Sequence, residues 1–180
     1  MDDQRRIKVS KYLSKHLRHA PERLGLTLGP GGWVAVDDLL RACAEHRFAV
    51  TADGLREVVE RSDKQRFAFD ATGTLIRANQ GHSVDVDLQL VPTPPPETLF
   101  HGTGAGAVES ILTSGLERRS RHHVHLSPDE ETARRVGMRH GKPVILTVAA
   151  GDMARAGHEF FVSANGVWLV DSVPPEYLHR

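Results

Sequence analysis

Pro92-Thr93-Pro94-Pro95-Pro96 divides the 180-residue chain into two parts of similar length. Proline restricts its own φ and cannot donate a backbone hydrogen bond. Four prolines in five residues therefore exclude a helix or a central strand here and favour a stiff, extended linker. We predict an N-terminal domain over residues 1–91, a linker over residues 92–97 and a C-terminal domain over residues 98–180.

The part before the linker has the pattern of three helices followed by a β-hairpin. Apolar side chains recur at helical spacing over residues 5–19, and further helices are expected to begin near Val36 and after Thr51. Two β-prone segments, residues 66–69 and 74–77, flank a turn that contains a glycine. Three helices and a hairpin suggest a winged-helix fold, a relative of the helix-turn-helix.

The part after the linker is rich in β-prone segments, which are residues 99–101, 123–126, 144–148 and 167–170. Two short helices interrupt them. One ends at Gly115, and the other begins after a cap formed by Ser127 or Asp129. We expect a mainly antiparallel mixed sheet flanked by these helices, so that the whole chain is of the α+β class.

Composition excludes several classes of protein. Hydrophobic residues make up 39% of the chain and charged residues 26%, as in soluble folded proteins and unlike disordered ones. The single cysteine, Cys43, allows neither an internal disulfide nor a thiolate zinc cluster. The net charge is zero, so a nucleic-acid site would have to be local. Because no apolar run approaches ~20 residues and the start has no apolar segment, we expect a cytoplasmic protein with no membrane partner.

The first predicted helix carries a stripe of cations. Its members are spaced three or four residues apart and share one face of the helix: Lys8, Lys11, Lys15 and Arg18. His19 follows directly at the C-terminal end. The stripe is either an ordinary solvated face or an anion-binding surface that ends in an Arg–His pair.

Two segments after the linker contain further candidate residues. His101-Gly102-Thr103 closes a strand before a glycine-containing turn and a helix, which either hold a nucleotide phosphate or form a tight structural turn. Three histidines follow Arg121, but strand alternation lets only His123 and His125 converge, so we expect no metal site. The same alternation places Arg121 on their side, where the three side chains would line a pocket.

Six motifs occur in order along the chain: SKYLSKHLRH (residues 10–19), KQRF (64–67), IRANQGHS (76–83), LFHGT (99–103), RHHVHLS (121–127) and NGVWL (165–169). Together they resemble the bacterial KptA-type RNA 2′-phosphotransferases, relatives of the eukaryotic enzyme that completes tRNA splicing. The resemblance covers essentially the whole chain. It implies a winged-helix N-lobe and an ADP-ribosyltransferase-like C-lobe that binds NAD⁺.

The resemblance also implies the functional residues. The implied catalytic set consists of Arg18, His19, Arg66 and Arg121. The residues expected to bind NAD⁺ are His101, Gly102, Thr103, His125, Ser127, Val162 and Asn165. Contacts with RNA are expected from Lys11, Lys15, Gln80 and His82.

The implied reaction has two steps. The RNA 2′-phosphate attacks C1″ of the NAD⁺ ribose and expels nicotinamide. O2″ then attacks phosphorus and releases 2′-OH RNA and ADP-ribose 1″,2″-cyclic phosphate. A phosphate monoester is already anionic near neutral pH, so the first step needs positioning rather than a base, and arginine forks suit that task. His19 is expected to act as an acid–base group or as a phosphate ligand.

Two other functions account for part of the pattern. A related ADP-ribosyltransferase would leave ADP-ribose on a phosphorylated nucleic-acid end or on a protein. A winged-helix binding module would have no activity and would explain only the first lobe. For the phosphotransferase, we expect an RNA partner that is tRNA-like and bears a 2′-phosphate. We also expect a monomer, because each lobe contributes to one intramolecular cleft.

Overall fold

The computed structural model describes residues 1–62, 64–84, 87–119 and 121–180. These residues form two compact units, Met1–Gln89 and Leu90–Arg180. Each unit combines helices with short antiparallel strands, which confirms the predicted α+β class. The proline segment belongs to the second unit, where the backbone N–H of Thr93 donates to the carbonyl oxygen of Phe160 at 2.7 Å.

Within the described residues, the first unit consists of three α-helices, three strands and two short 3₁₀ turns. The helices and strands are α1 (Asp3–Arg18), β1 (Val34–Ala35), α2 (Val36–Glu45), α3 (Ala52–Glu60), β2 (Phe67–Phe69) and β3 (Leu75–Ala78). The predicted helices and hairpin are confirmed. Strand β1 extends the hairpin to a sheet in the order β1-β3-β2, and both pairings are antiparallel.

Helix α1 forms because its sequence supplies both a cap and a buried stripe. The Asp2 carboxylate accepts a hydrogen bond from the backbone N–H of Arg5 at 2.7 Å, which satisfies one of the unpaired amides at the helix start. Val9, Leu13 and Leu17 are at most 1% exposed and lie in the core of the unit. The other faces of α1 are left to carry its polar and basic side chains.

The second unit alternates strands with short helices. Its elements are β4 (Leu99–Gly104), α4 (Val108–Ser114), β5 (Leu116–Glu117), β6 (Val124–Leu126), α5 (Glu130–Gly137), β7 (Pro143–Val148), α6 (Ala150–Arg155), β8 (Phe161–Val162), β9 (Trp168–Val170), β10 (Ser172–Val173) and β11 (Leu178–His179). Each of the four β-prone segments of the sequence forms a strand. Asp129 rather than Ser127 caps α5, since its carboxylate accepts from the backbone N–H of Thr132 at 2.7 Å.

The strands of the second unit form three small sheets rather than one mixed sheet. Their orders are β11-β7-β4, β6-β9-β8 and β10-β5, and every pairing between the described strands is antiparallel. A single bridge between Phe100 and Ser127 joins β4 to the end of β6. Beyond this bridge the described strands β4 and β6 belong to different sheets. No helix of the described residues is long and apolar enough to cross a lipid bilayer.

Close packing of α5 against β4 depends on Gly102. A Cβ at this position would lie 1.6 Å from the carbonyl oxygen of Ala133 in α5, so only glycine allows the helix backbone to approach the strand this closely. On its other side, β4 pairs with β7 over its whole length. His101 and Thr103 are therefore carried on a strand that is held from two sides.

Candidate functional site

Arg18 and His19 lie at the C-terminal end of α1, where a second segment of the first unit contacts both. The backbone N–H of Ser83 donates to the carbonyl oxygen of Arg18 at 2.9 Å, and Ser83 Oγ lies 2.9 Å from Nδ1 of His19. Gly81, with a φ of 86°, passes so near that a Cβ would be 3.5 Å from Nε of Arg18. The Arg–His pair is therefore held by residues 81–83. Ser83 was not among the predicted site residues, although it belongs to the motif at residues 76–83.

A cavity of about 570 Å³ in the first unit has both Arg18 and Arg66 in its wall. Six of the eleven lining residues are cations: Arg6, Lys11, Arg18, Arg61, Lys64 and Arg66. The other five are serines or aliphatic residues, so none of the described lining residues is acidic. A wall of this composition attracts anions, and its arginine forks match the geometry of phosphate oxygens.

The cavity meets α1 at one edge of the predicted basic stripe. Four residues of α1 at intervals of four line the cavity, namely Arg6, Ser10, Ser14 and Arg18. Lys11 lines it beside them. Lys8 and Lys15 are exposed and do not line the cavity. Of the residues predicted to contact RNA, Lys11 therefore lines the same cavity as Arg18 and Arg66, whereas Lys15 does not. Sequence reasoning missed Arg6, because periodicity shows that residues share a face of α1 but not which side of that face a cavity adjoins. It also missed Arg61, because this residue lies at the end of α3 and only the packing of the unit brings it to the cavity.

The two other predicted RNA contacts, Gln80 and His82, do not line the cavity. His82 is 1% exposed, and its Nε2 lies where a Cβ on Gly32 would approach to 3.3 Å. Gln80 is half-buried, with a buried Oε1. The structure thus places His82 inside the unit, and RNA contact by Gln80 and His82 stays a prediction.

His101 lies half-buried on β4 in the second unit. Its Nδ1 is 3.5 Å from the carbonyl oxygen of His125, at the outer limit of a hydrogen bond. Burial lowers the pKa of His101 below its usual value, and the charge of His140 adds to this effect, whereas the His125 carbonyl opposes it. The imidazole is therefore neutral at pH 7, and a neutral ring has one nitrogen that donates and one that accepts.

Arg121 is exposed and contacts His125. Its Nη1 donates towards Nδ1 of His125 at 3.2 Å, which requires that this nitrogen carries no proton. The ring centroids of His123 and Phe161 are 5.5 Å apart, so His123 contacts the hairpin of β8 and β9. Within the described part of the chain, no three His, Cys, Asp or Glu side chains are grouped so that they could hold a metal ion.

Ser127 and the hairpin of β8 and β9 contain the remaining predicted NAD⁺ ligands. Ser127 and Phe100 exchange two backbone hydrogen bonds, of 2.8 and 2.9 Å, which places Ser127 beside the strand of His101. Val162 lies in β8, and Asn165 lies in the following turn, where its Oδ1 accepts a hydrogen bond from Oγ of Ser163. The structure therefore brings His101, His125 and Ser127 together around β4 and β6. Strand β6 pairs with β9, so the hairpin of β8 and β9 lies next to this group.

Comparisons with known proteins connect both units to one family. A family model described as RNA 2′-phosphotransferase, Tpt1 / KptA family, matches residues 4–172. A probable RNA 2′-phosphotransferase from Nostoc punctiforme is 61% identical over 180 residues, covering 100% of this chain and 99% of the relative. Proteins of the same name from Trichormus variabilis and Streptomyces griseus are 64% and 59% identical, and each alignment covers 99% of this chain and 98% of the relative. The chain therefore belongs to the RNA 2′-phosphotransferase family.

Proposed function

We propose that this protein is an enzyme that removes an internal 2′-phosphate from RNA in a reaction that consumes NAD⁺. The observation that carries the proposal is the cavity of the first unit, whose wall combines Arg18 and Arg66 with four further cations. Family membership supports a transferase that acts on the 2′-phosphate of RNA.

The first unit is assigned to the 2′-phosphate. Near pH 7 this group carries between one and two negative charges, since its second pKa is about 6. The guanidinium groups of Arg18 and Arg66 are planar and permanently charged, and each can donate two parallel hydrogen bonds to phosphate oxygens. Because the phosphate is already a nucleophile, the task of these residues is to hold and orient it. His19, in contact with Ser83, is assigned either to the same phosphate or to proton transfer in the second step.

The second unit is assigned to NAD⁺ as co-substrate. The neutral imidazole of His101 and the hydroxyl of Ser127 are uncharged hydrogen-bonding groups, a donor set that suits ribose hydroxyls. We assign Arg121, which contacts His125, to the phosphate in the second step. Gly102, Thr103, Val162 and Asn165 complete the proposed NAD⁺ ligands.

NAD⁺ supplies the acceptor for the phosphate. Its ribose C1″ bonds to a phosphate oxygen as nicotinamide leaves, which gives a 2′-phospho-ADP-ribosylated RNA. The ribose O2″ hydroxyl then loses its proton and bonds to phosphorus. The bond from phosphorus to the RNA 2′-oxygen breaks, and that oxygen takes up a proton, so no net proton is gained or lost in this step. The products are 2′-OH RNA, nicotinamide and ADP-ribose 1″,2″-cyclic phosphate.

We extend the proposal to the two lobes. The three helices and antiparallel sheet of the first unit support a winged-helix assignment. The small antiparallel sheets and short helices of the second unit support an ADP-ribosyltransferase-like assignment. The tRNA-like substrate, the monomeric state and the cytoplasmic location stay predictions from the sequence.

A product assay tests the proposal. The protein is mixed with a short RNA that bears one internal 2′-phosphate, with and without NAD⁺, and both RNA and nucleotide products are analysed by mass spectrometry. The same RNA without the 2′-phosphate is the matched control. We expect 2′-OH RNA and ADP-ribose cyclic phosphate only when NAD⁺ and the 2′-phosphate are both present. RNA that keeps an ADP-ribosyl group would instead identify an ADP-ribosyltransferase, and unchanged RNA and NAD⁺ would contradict both activities.

A further inference from the structure

Asn79 and Ser83 contact residues that the proposed function assigns to the phosphate, although neither was among the predicted site residues. We propose that both are positioning residues: Asn79 fixes the backbone on both sides of Arg66, and Ser83 orients the ring of His19. The inference rests on the proposed function, in which Arg66 and His19 act on the 2′-phosphate.

Asn79 holds both of the peptide groups that flank the Cα of Arg66. Its Nδ2 donates to the carbonyl oxygen of Gln65 at 2.6 Å, and its backbone N–H donates to the carbonyl oxygen of Arg66 at 2.9 Å. The first carbonyl belongs to the peptide before this Cα, and the second belongs to the peptide after it. With both peptides held, φ and ψ of Arg66 are set, and so is the direction in which its side chain leaves the backbone.

The backbone before Arg66 needs this support because Gln65 has a φ of 42°. Residues with a Cβ rarely adopt this left-handed conformation, and such strain persists only where surrounding contacts over-determine it. One contact is the bond from Asn79 to the Gln65 carbonyl, and another runs from the N–H of Gln65 to the carbonyl of Ser62 at 3.0 Å. Without the amide of Asn79, relaxation of Gln65 towards negative φ would rotate the peptide that precedes Arg66.

The burial of Asn79 argues against a purely structural role. Asn79 is 5% exposed, and the Gln65 carbonyl can only accept, so the amide nitrogen must face it. This orientation leaves Oδ1 buried and without a hydrogen-bond partner among the described residues. An unsatisfied buried acceptor is destabilising, and an apolar side chain would avoid that cost. A positioning role explains why an amide occupies this place.

Ser83 makes a comparable pair of contacts at the other end of the segment. Its backbone N–H donates to the carbonyl of Arg18, and its hydroxyl lies 2.9 Å from Nδ1 of His19. A hydrogen-bond partner on one ring nitrogen restrains the orientation of an imidazole, and a hydroxyl can play this part with either tautomer because it both donates and accepts. Because the bond to Arg18 uses the backbone, a side-chain substitution at Ser83 alters only the contact with His19.

Asn79→Asp tests the first contact because aspartate has the shape of asparagine but cannot donate to the Gln65 carbonyl. We expect kcat/KM for 2′-phosphorylated RNA to fall by roughly tenfold to a hundredfold, since small displacements of a binding group have effects of this size. The dissociation constant for NAD⁺, assigned to the other unit, should not change. Asn79→Ala, which removes the donor without adding a charge, should show the same selective loss. A parallel loss of NAD⁺ affinity, or full activity in Asn79→Asp, would overturn the role of Asn79.

Ser83→Ala and Ser83→Thr form the matched pair for the second contact. Threonine keeps the hydroxyl and should restore turnover to within about threefold of wild type, whereas alanine should lose roughly tenfold or more at an unchanged melting temperature. Equal activity of the two variants would overturn the role of Ser83. The wild-type protein in the same assay distinguishes a failure of the proposed function from a failure of the positioning roles. Its failure to turn over would reject the proposed function itself, whereas an active wild type with fully active variants would reject only the positioning roles.

Discussion

Gly102→Ala should destabilise the second unit because no side chain can move to make room for the new methyl group. An ideal Cβ at Gly102 would lie 1.6 Å from the carbonyl oxygen of Ala133, 2.6 Å from its carbonyl carbon and 2.9 Å from the backbone nitrogen of Gly137. All three are backbone atoms of α5. To restore even a 3.0 Å contact, the helix and β4 would have to separate by at least about 1.4 Å.

The expected loss follows from this displacement. Overpacking a core typically lowers the free energy of unfolding by about 1–3 kcal/mol. We expect a loss near the upper end of this range, because the new methyl group meets the helix backbone at Ala133, which is fully buried. For a unit of about 90 residues, each kcal/mol shifts the melting temperature by roughly 4–8 °C. Gly102→Ala should therefore lower the melting temperature of the second unit by roughly 12 °C or more.

Gly106→Ala is the matched control from the same segment. A Cβ on Gly106 meets no atom within 4 Å, so its free energy of unfolding should change by only about 0.5 kcal/mol. The chain has two tryptophans, Trp33 in the first unit and Trp168 in the second. Thermal unfolding followed by fluorescence in a Trp33→Phe background therefore reports on the second unit alone. If Gly102→Ala melted within about 2 °C of Gly106→Ala, the close packing of α5 on β4 would be refuted.

Three further predictions concern the proposed active-site residues. Arg66→Lys keeps the charge of the cavity but loses the bidentate fork, so kcat/KM for 2′-phosphorylated RNA should fall roughly tenfold to a hundredfold, while Arg23→Lys, outside the cavity, should have no effect. Arg121→Ala should stall after the first step, and mass spectrometry should detect 2′-phospho-ADP-ribosylated RNA. Burial lowers the pKa of both His101 and His123, so the unfolded chain takes up protons at a higher pH than the folded unit does. The second unit should therefore lose stability as the pH falls below about 6.5, and His101→Gln should reduce the loss measured by urea unfolding at about pH 7 and pH 5.

Each of these predictions has a contradicting outcome. If Arg66→Lys were as active as Arg23→Lys, charge alone would suffice and the fork geometry would be irrelevant. Complete conversion to 2′-OH RNA by Arg121→Ala, with no intermediate, would rule out its role in the second step. An unchanged pH dependence of the urea midpoint in His101→Gln would assign the responsible titration to a different group.

Local features of the sequence were sufficient to predict most of the secondary structure. The apolar stripe of α1 predicted its buried face, and Thr51 predicted the start of α3, where its Oγ1 accepts from the N–H of Gly54 at 3.0 Å. The hairpin of the first unit and the glycine that ends α4 were predicted in the same way. These signals operate over a few residues, because caps, turns and helical periodicity are themselves local interactions. The ordered motifs also indicated the family, which the comparisons confirmed.

The tertiary structure decided which of these residues meet. Asn79 lies 14 residues from Gln65 in the sequence, and Ser83 lies 64 residues from His19, yet each pair is hydrogen-bonded. Likewise, the sequence placed Gly102 at the end of a predicted strand, whereas its contact with Ala133 depends on the packing of α5 across β4. The sequence by itself therefore determined the elements, the family and the candidate residues. Packing decided which cations share a cavity and what holds Arg66, because contacts between distant residues depend on how the elements are arranged in space, which no short-range period encodes.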